Sequence, residues 1–213
     1  MSAQSRGICV SCSKEFPKRG MTKHIAVCEQ RKSGNESHLH LLVQGWYQPQ
    51  YWLHVEAQPN AHLDDLDLFL RNIWLECCGH MSSFEIDGRQ YVSGRTHDPE
   101  DRIMTAELCK VLIPAQKIKH TYDFGTSTEL SLRVVGELQG ARVKEKIRLL
   151  ARNLAPQFEC VNCGKPATQL CSQCSWEGDA WFCDGCASEH ECGEEMLMPI
   201  VNSPRVGQCG YTG

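Results

Sequence analysis

Between Phe158 and Cys192 the chain reads FECVNCGKPATQLCSQCSWEGDAWFCDGCASEHEC, which holds seven cysteines and one histidine. Three C-x-x-C pairs, Cys160/Cys163, Cys171/Cys174 and Cys183/Cys186, are followed by His190 and Cys192. Thiolate sulfur and imidazole nitrogen are the donors of structural zinc, which closes a tetrahedral shell with four of them. Eight donors therefore suffice for two ions, filled either one after the other along the chain or interleaved. Disulfides are the competing use of so many thiols, and the redox compartment decides between the two. The start of the chain, MSAQSRGICV, lacks the apolar stretch of a secretory signal. No apolar run approaches the roughly 20 residues that span a bilayer. The expected location is the cytoplasm, where thiols stay reduced, so the cysteine count points to metal. A shell filled by protein donors leaves no position for water or substrate, which implies a structural rather than a catalytic ion. Trp176 and Trp181, lying between the pairs, are expected to cover the metal.

A second set of donors lies near the other end. In CVSCSKEFPKRGMTKHIAVC, Cys9 and Cys12 form a C-x-x-C knuckle, and His24 and Cys28 follow four residues apart. That spacing places the latter two on one face of a helix. Phe16 stands between the ligand pairs as the apolar filler of a segment too short to build a core. With four donors per site, Cys9, Cys12, His24 and Cys28 bring the expected content to three zincs per chain.

Both segments resemble known zinc modules. The head is similar to the Cys-Cys-His-Cys variant of the classical zinc finger. The tail resembles the cross-brace fingers, such as the B-box, MYND and HIT types. That resemblance implies an interleaved arrangement: Cys160, Cys163, Cys183 and Cys186 on one zinc, and Cys171, Cys174, His190 and Cys192 on the other. Cys209, in GQCGYTG, is the reserve for the last of these ligands. Cross-brace fingers usually serve protein contacts, so the resemblance implies a protein partner.

The segments that must position these donors flank the one stretch long enough for a core, residues 37–155. HLHLLVQGWY and QYWLHVEAQ read as strands around the turn-forming QPQ. In NAHLDDLDLFLRNIWLE, Leu63, Leu66, Phe69, Leu70, Ile73 and Trp74 recur at helical spacing. Asn60 is the expected N-cap there, with Asp64, Asp65 and Asp67 near the positive end of the helix. The Asp-Gly pair of SSFEIDGRQYVS predicts a hairpin, KIKHTYDFG and TELSLRVVGEL another around Gly125, and KEKIRLLARN a last strand. The fold class is α+β: a mostly antiparallel sheet with one main helix, flanked by two small zinc-finger modules. The expected domains are 1–33, 37–155 and 158–213.

HLDDLDLFLRNIWLECCGH, FEI and YDFGTSTELSLRVV together resemble the plasmid open-reading-frame-three-like family, over roughly 110 residues. Members of that family are prokaryotic and often carry Y-D-F-G before a short polar turn, here GTST. The resemblance implies a fold and a prokaryotic setting, and it brings no activity with it. D-F-G alone does not make a kinase, because the glycine-rich loop, H-R-D and A-P-E are missing. Cys77, Cys78 and His80 in LECCGH, with His97, Asp98, His120 and Asp123, are the body's other chemical groups. Gly79 marks a helix end there, and cysteine commonly packs as a small apolar residue.

Charge divides the chain in the same places. Residues 1–33 carry seven Lys/Arg against two acids, and residues 160–213 carry two against seven. The basic head, residues 6–32, is the candidate nucleic-acid contact, through Lys14, Lys18, Arg19, Lys23, Arg31 and Lys32. The acidic tail would repel phosphate. The sequence thus predicts a cytoplasmic, prokaryotic zinc-binding adaptor or scaffold with a protein partner and no membrane association. The rival is an enzyme of mobile elements or their defence, nuclease-like, with its site in the body. That reading requires carboxylates gathered around a hard cation such as Mg2+.

Overall fold

A computed structural model describes residues 5–32, 34–94, 99–114, 116–178 and 180–213. The head supplies β1 (Arg6–Cys9), β2 (Glu15–Pro17) and α1 (Lys18–Val27). The body follows with β3 (Glu36–Gly45), β4 (Trp52–Ala57), α2 (Leu63–Leu70), β5 (Ser82–Ile86) and β6 (Arg89–Val92). It continues through β7 (Arg102–Ile103), α3 (Leu108–Val111), β8 (Lys117–Tyr122), β9 (Thr128–Gly140) and β10 (Ile147–Asn153). The tail adds β11 (Gln169–Cys171), β12 (Trp181–Phe182), α4 (Asp184–Ala187) and β13 (Leu197–Pro199). The class is α+β. Among the described residues, ten strands form one sheet in the order β2-β1-β10-β4-β3-β9-β8-β5-β6-β7, antiparallel except for the β6–β7 pair. The tail strands make a second sheet in the order β12-β11-β13.

Alternation along β4 shows how the large sheet is covered. All six of its residues are buried. Successive side chains point to opposite faces, so both faces must be covered. Leu53, Val55 and Ala57 join the main core, where Leu63, Leu66, Leu70 and Trp74 of α2 and the π-helical turn Arg71–Leu75 pack. Trp52 instead joins Met21 and Ile25 of α1, with Leu138, Leu150 and Ala151. The head therefore lies flat against the sheet, and β1 pairs along β10 from Gly7 opposite Asn153 to Cys9 opposite Ala151. A β-carbon at Gly7 would collide with the Trp52 ring and the Arg152 carbonyl, so glycine is required for that approach.

The β5–β6 hairpin turns at Asp87 and Gly88, with φ of 51° and 73°. Two positive φ angles are what a tight hairpin of this twist needs. The main helix begins two residues later than its composition predicts. His62, not Asn60, is the N-cap, because Asp65 accepts the His62 N–H at 2.9 Å. The N–H groups of Leu63 and Asp64 go to the carbonyls of Ala106 and Met104.

Between the head and the sheet lie two buried histidines, His40 and His54, with ring nitrogens 2.9 Å apart. Burial pushes His40 down to about 4 and His54 down to about 3. Unfolded histidine titrates near 6.5. Between these values the unfolded chain binds the protons that the folded chain refuses, so stability is complete above about pH 6.5 and is lost as pH falls. Each ring is expected to cost about 2 kcal/mol at pH 5. Denaturant midpoints in zinc-saturated buffer check this: His40→Gln/His54→Gln should flatten the slope between pH 7 and 5, and an unchanged slope would remove the effect.

Candidate metal centres

In the head, the Cys9–Cys12 knuckle closes through a Ser13 N–H donated to the Cys9 carbonyl, with Ser13 at φ 57°. The chain returns along β2 into α1, whose last turn carries His24 and whose C-cap is Cys28. Cys9, Cys12, His24 and Cys28 present four donor atoms within 4.8 Å of one another. Cys9 and Cys28 sulfurs are 4.0 Å apart, and Cys12 Sγ is 3.3 Å from His24 Nε2. Phe16 stacks on the His24 ring at 3.9 Å, which fixes its plane. Burial, then the Lys14 charge, lowers the His24 pKa and favours the neutral imidazole that a metal requires.

The tail brings its eight donors into two sets of four. Cys160, Cys163, Cys183 and Cys186 form one set, and Cys171, Cys174, His190 and Cys192 the other. The arrangement is interleaved, because β11 and β12 carry the chain back and forth between the sets. Cys163 and Cys183 sulfurs lie 3.6 Å apart. Cys174 Sγ lies 3.4 Å from His190 Nε2 and 3.7 Å from Cys192 Sγ. The backbone N–H of Cys183 leads in pulling the Cys160 thiol down to about 6, whereas contact with Cys163 and Cys160 pushes Cys186 up to about 12. Thiols crowded this closely cannot all ionise unless a cation joins them.

A zinc–sulfur bond of about 2.3 Å makes each sulfur–sulfur edge of a tetrahedron about 3.8 Å, and each sulfur–nitrogen edge about 3.5 Å. The separations above match those edges. A disulfide needs about 2.05 Å, and all fourteen cysteines are free. These clusters could hold metal ions.

Several other residues sit elsewhere than their sequence context suggests. Trp176 does not cover a metal: the short turn Cys174–Trp176 leaves it 80% exposed. Trp181 stacks on Phe158 at 3.7 Å, against the body's core. Cys209 does not replace Cys192. It lies with Cys77, Cys78 and His80, 131 residues from Cys78 along the chain. His80 is 3.4 Å from Asp123, and Arg205, fully buried, donates to Asp123 at 2.8 Å. Burial alone would raise the Asp123 carboxyl; hydrogen bonds from Arg205 and from the N–H groups of Thr126 and Gly125 hold it below the usual range. His120 is buried and bonded to Asp67 at 2.7 Å, and Asp67 also takes the Arg71 guanidinium. His97 and Asp98 lie outside the described residues. In the head, Lys18 donates to Gln44 and Pro49, and Arg31 reaches the Gln139 carbonyl and Glu56. Lys14, Arg19, Lys23 and Lys32 stay exposed.

Fold and donor sets together define a mixed α+β protein with Cys/His clusters competent for metal. No family model matches the chain, and no curated protein does. Among solved structures, it is similar to the crystal structure of the protein of unknown function MM3350 from Methanosarcina mazei Go1. The identity is 21% and the TM-score 0.45, over 58% of this chain and 70% of that one. No helix among the described residues is long and apolar enough to cross a membrane.

Proposed function

We propose that this chain is a binding protein, an adaptor or scaffold, whose head and tail clusters hold three structural zinc ions. The observation that carries the reading is the donor count. Each of the three sets offers four protein donors within 4.8 Å of one another. Four protein ligands close a tetrahedral shell and leave no coordination site for chemistry. Zinc suits the reading because sets of four thiolates, or of three thiolates and an imidazole, select a soft tetrahedral ion. The setting is the reducing cytoplasm of a prokaryote, and the body is of the plasmid open-reading-frame-three-like type.

The protein contact falls to the acidic tail, where Trp176 stands out into solvent beside Glu177. A large exposed aromatic is a common anchor of protein interfaces. The head adds an electrostatic contact with nucleic acid through Lys14, Arg19, Lys23 and Lys32, which are exposed there. Metal analysis of protein purified without chelator is expected to return at least three zincs per chain. The same preparation should bind mixed-sequence nucleic acid with an affinity that falls steeply with salt, and Arg19→Glu/Lys23→Glu should weaken it. One equivalent of metal or fewer would overturn the structural-zinc reading, and salt-independent binding would overturn the head's role.

A further inference from the structure

Thirteen of the fourteen cysteines stand in sets of four donors, and only ten of those thirteen belong to the head and tail. The remaining three are Cys77, Cys78 and Cys209, gathered with His80 at the end of the body sheet. We infer that these four residues form a fourth metal centre, for a soft divalent cation such as Zn2+, which ties the C-terminal segment to the body.

The separations are again those of a coordination shell. Cys77 and Cys78 sulfurs are 3.6 Å apart, Cys78 and Cys209 sulfurs 3.7 Å, and Cys209 Sγ lies 3.3 Å from His80 Nε2. Cys78 Sγ is closer to the same nitrogen, at 2.9 Å. Apolar packing does not account for the gathering, because Cys78 and Cys209 are exposed. Three sulfurs and an imidazole select a thiophilic ion over Mg2+ or Ca2+, which take oxygen. On binding, the three thiols give up their protons, and His80 coordinates through Nε2 as the neutral ring.

The surroundings hold the donors in place. The Tyr122 hydroxyl accepts the N–H groups of Cys77 at 3.4 Å and His80 at 3.3 Å, and donates to Glu76 at 3.0 Å. Glu76 in turn accepts the Gly79 N–H, where φ is 77°. The loop is thus wound around one phenol. Arg205 donates to Cys77 Sγ at 3.3 Å and to Asp123, whose carboxylate stands 3.4 Å from His80 Nε2. Supporting groups of this kind orient metal ligands and stabilise their charge. Tyr122 and Asp123 of the Y-D-F-G stretch thereby acquire a role: Tyr122 holds the backbone of two donors, and Asp123 holds the Arg205 that donates to Cys77.

The test is the metal content of the full chain, purified reduced and without chelator, for wild type, Cys209→Ser and Cys12→Ser. Wild type is expected to hold one equivalent more than Cys209→Ser, and Cys12→Ser should lose a different one. A colorimetric chelator should draw its fastest equivalent from wild type, and that phase should be missing in Cys209→Ser, because this set has two exposed thiols where the tail set of Cys163 has one. In the cobalt-substituted protein, Cys78→Ser/Cys209→Ser should lose about a quarter of the thiolate-to-cobalt absorbance, three of thirteen sulfurs. If Cys209→Ser fails to fold, His80→Gln takes its place. Equal metal content in wild type and Cys209→Ser would overturn the inference, as would a Cys78–Cys209 disulfide in protein kept reduced. This inference rests on the same Cys/His chemistry as the proposed function, and the two fail separately: Cys12→Ser reports on the head whatever becomes of Cys209.

Discussion

Cys171→Ser is expected to unfold the whole segment 158–192, not one half of it. Cys171 is fully buried in a small core made of Cys160, Phe182 and Ala187, with Cys174, Cys183, Cys186 and Cys192 packed around it. That core contains ligands of both tail sets, so neither set keeps its geometry without the other. A structural zinc contributes about 10–16 kcal/mol to folding in finger-sized peptides, far more than the rest of so short a segment supplies. The expected result is the loss of two metal equivalents and rapid proteolysis between Phe158 and Cys192, with the body sheet still folded. Unchanged protease resistance across that segment, or a loss of one equivalent only, would show that the two sets are independent.

Arg205→Ala carries the second large effect. The guanidinium is completely buried and donates to Thr126 O, Thr128 Oγ1, Cys77 Sγ and Asp123 Oδ2. Removing it leaves the Asp123 carboxylate, 6% exposed, without its cation. Breaking one partner of a buried pair typically costs about 3–5 kcal/mol, because the other charge is stranded. The unfolding free energy of Arg205→Ala, measured by denaturant titration, should fall by that amount. Arg205→Ala/Asp123→Asn should cost less than the two single changes together, since the stranded charge is then absent. Strict additivity would mean that the pair is not coupled.

What the sequence discloses depends on how far apart the cooperating residues are. A C-x-x-C knuckle is a single turn, and the spacing of His24 from Cys28 is one helical turn, so donors of the head and tail announce themselves locally. The hairpin at Asp87-Gly88 is legible for the same reason. The convergence of Cys209 with Cys77, Cys78 and His80 is not: Cys209 reads as a reserve ligand for the tail, and its partners lie about 130 residues earlier in the chain. Arg205 reads as surface, since arginine is seldom fully buried without a partner, and its partner lies 82 residues away. The main helix starts at Leu63 because the backbone of residues 104–106 competes for its first N–H groups, a contact that residue preferences near Asn60 cannot reveal. Trp176 belongs inside on size alone; the turn at Cys174 decides otherwise.

The pairing of β1 with β10 has a temporal side. Arg6–Cys9 precedes its neighbour Ile147–Asn153 by about 140 residues and can pair only after that later strand has been made. Contacts between such distant segments are slow to form. A nascent head can complete its own coordination early, yet Met21 and Ile25 must wait in water for Leu150 and Ala151. The head is therefore made before the strand that anchors it and is among the last parts of the sheet to be locked in.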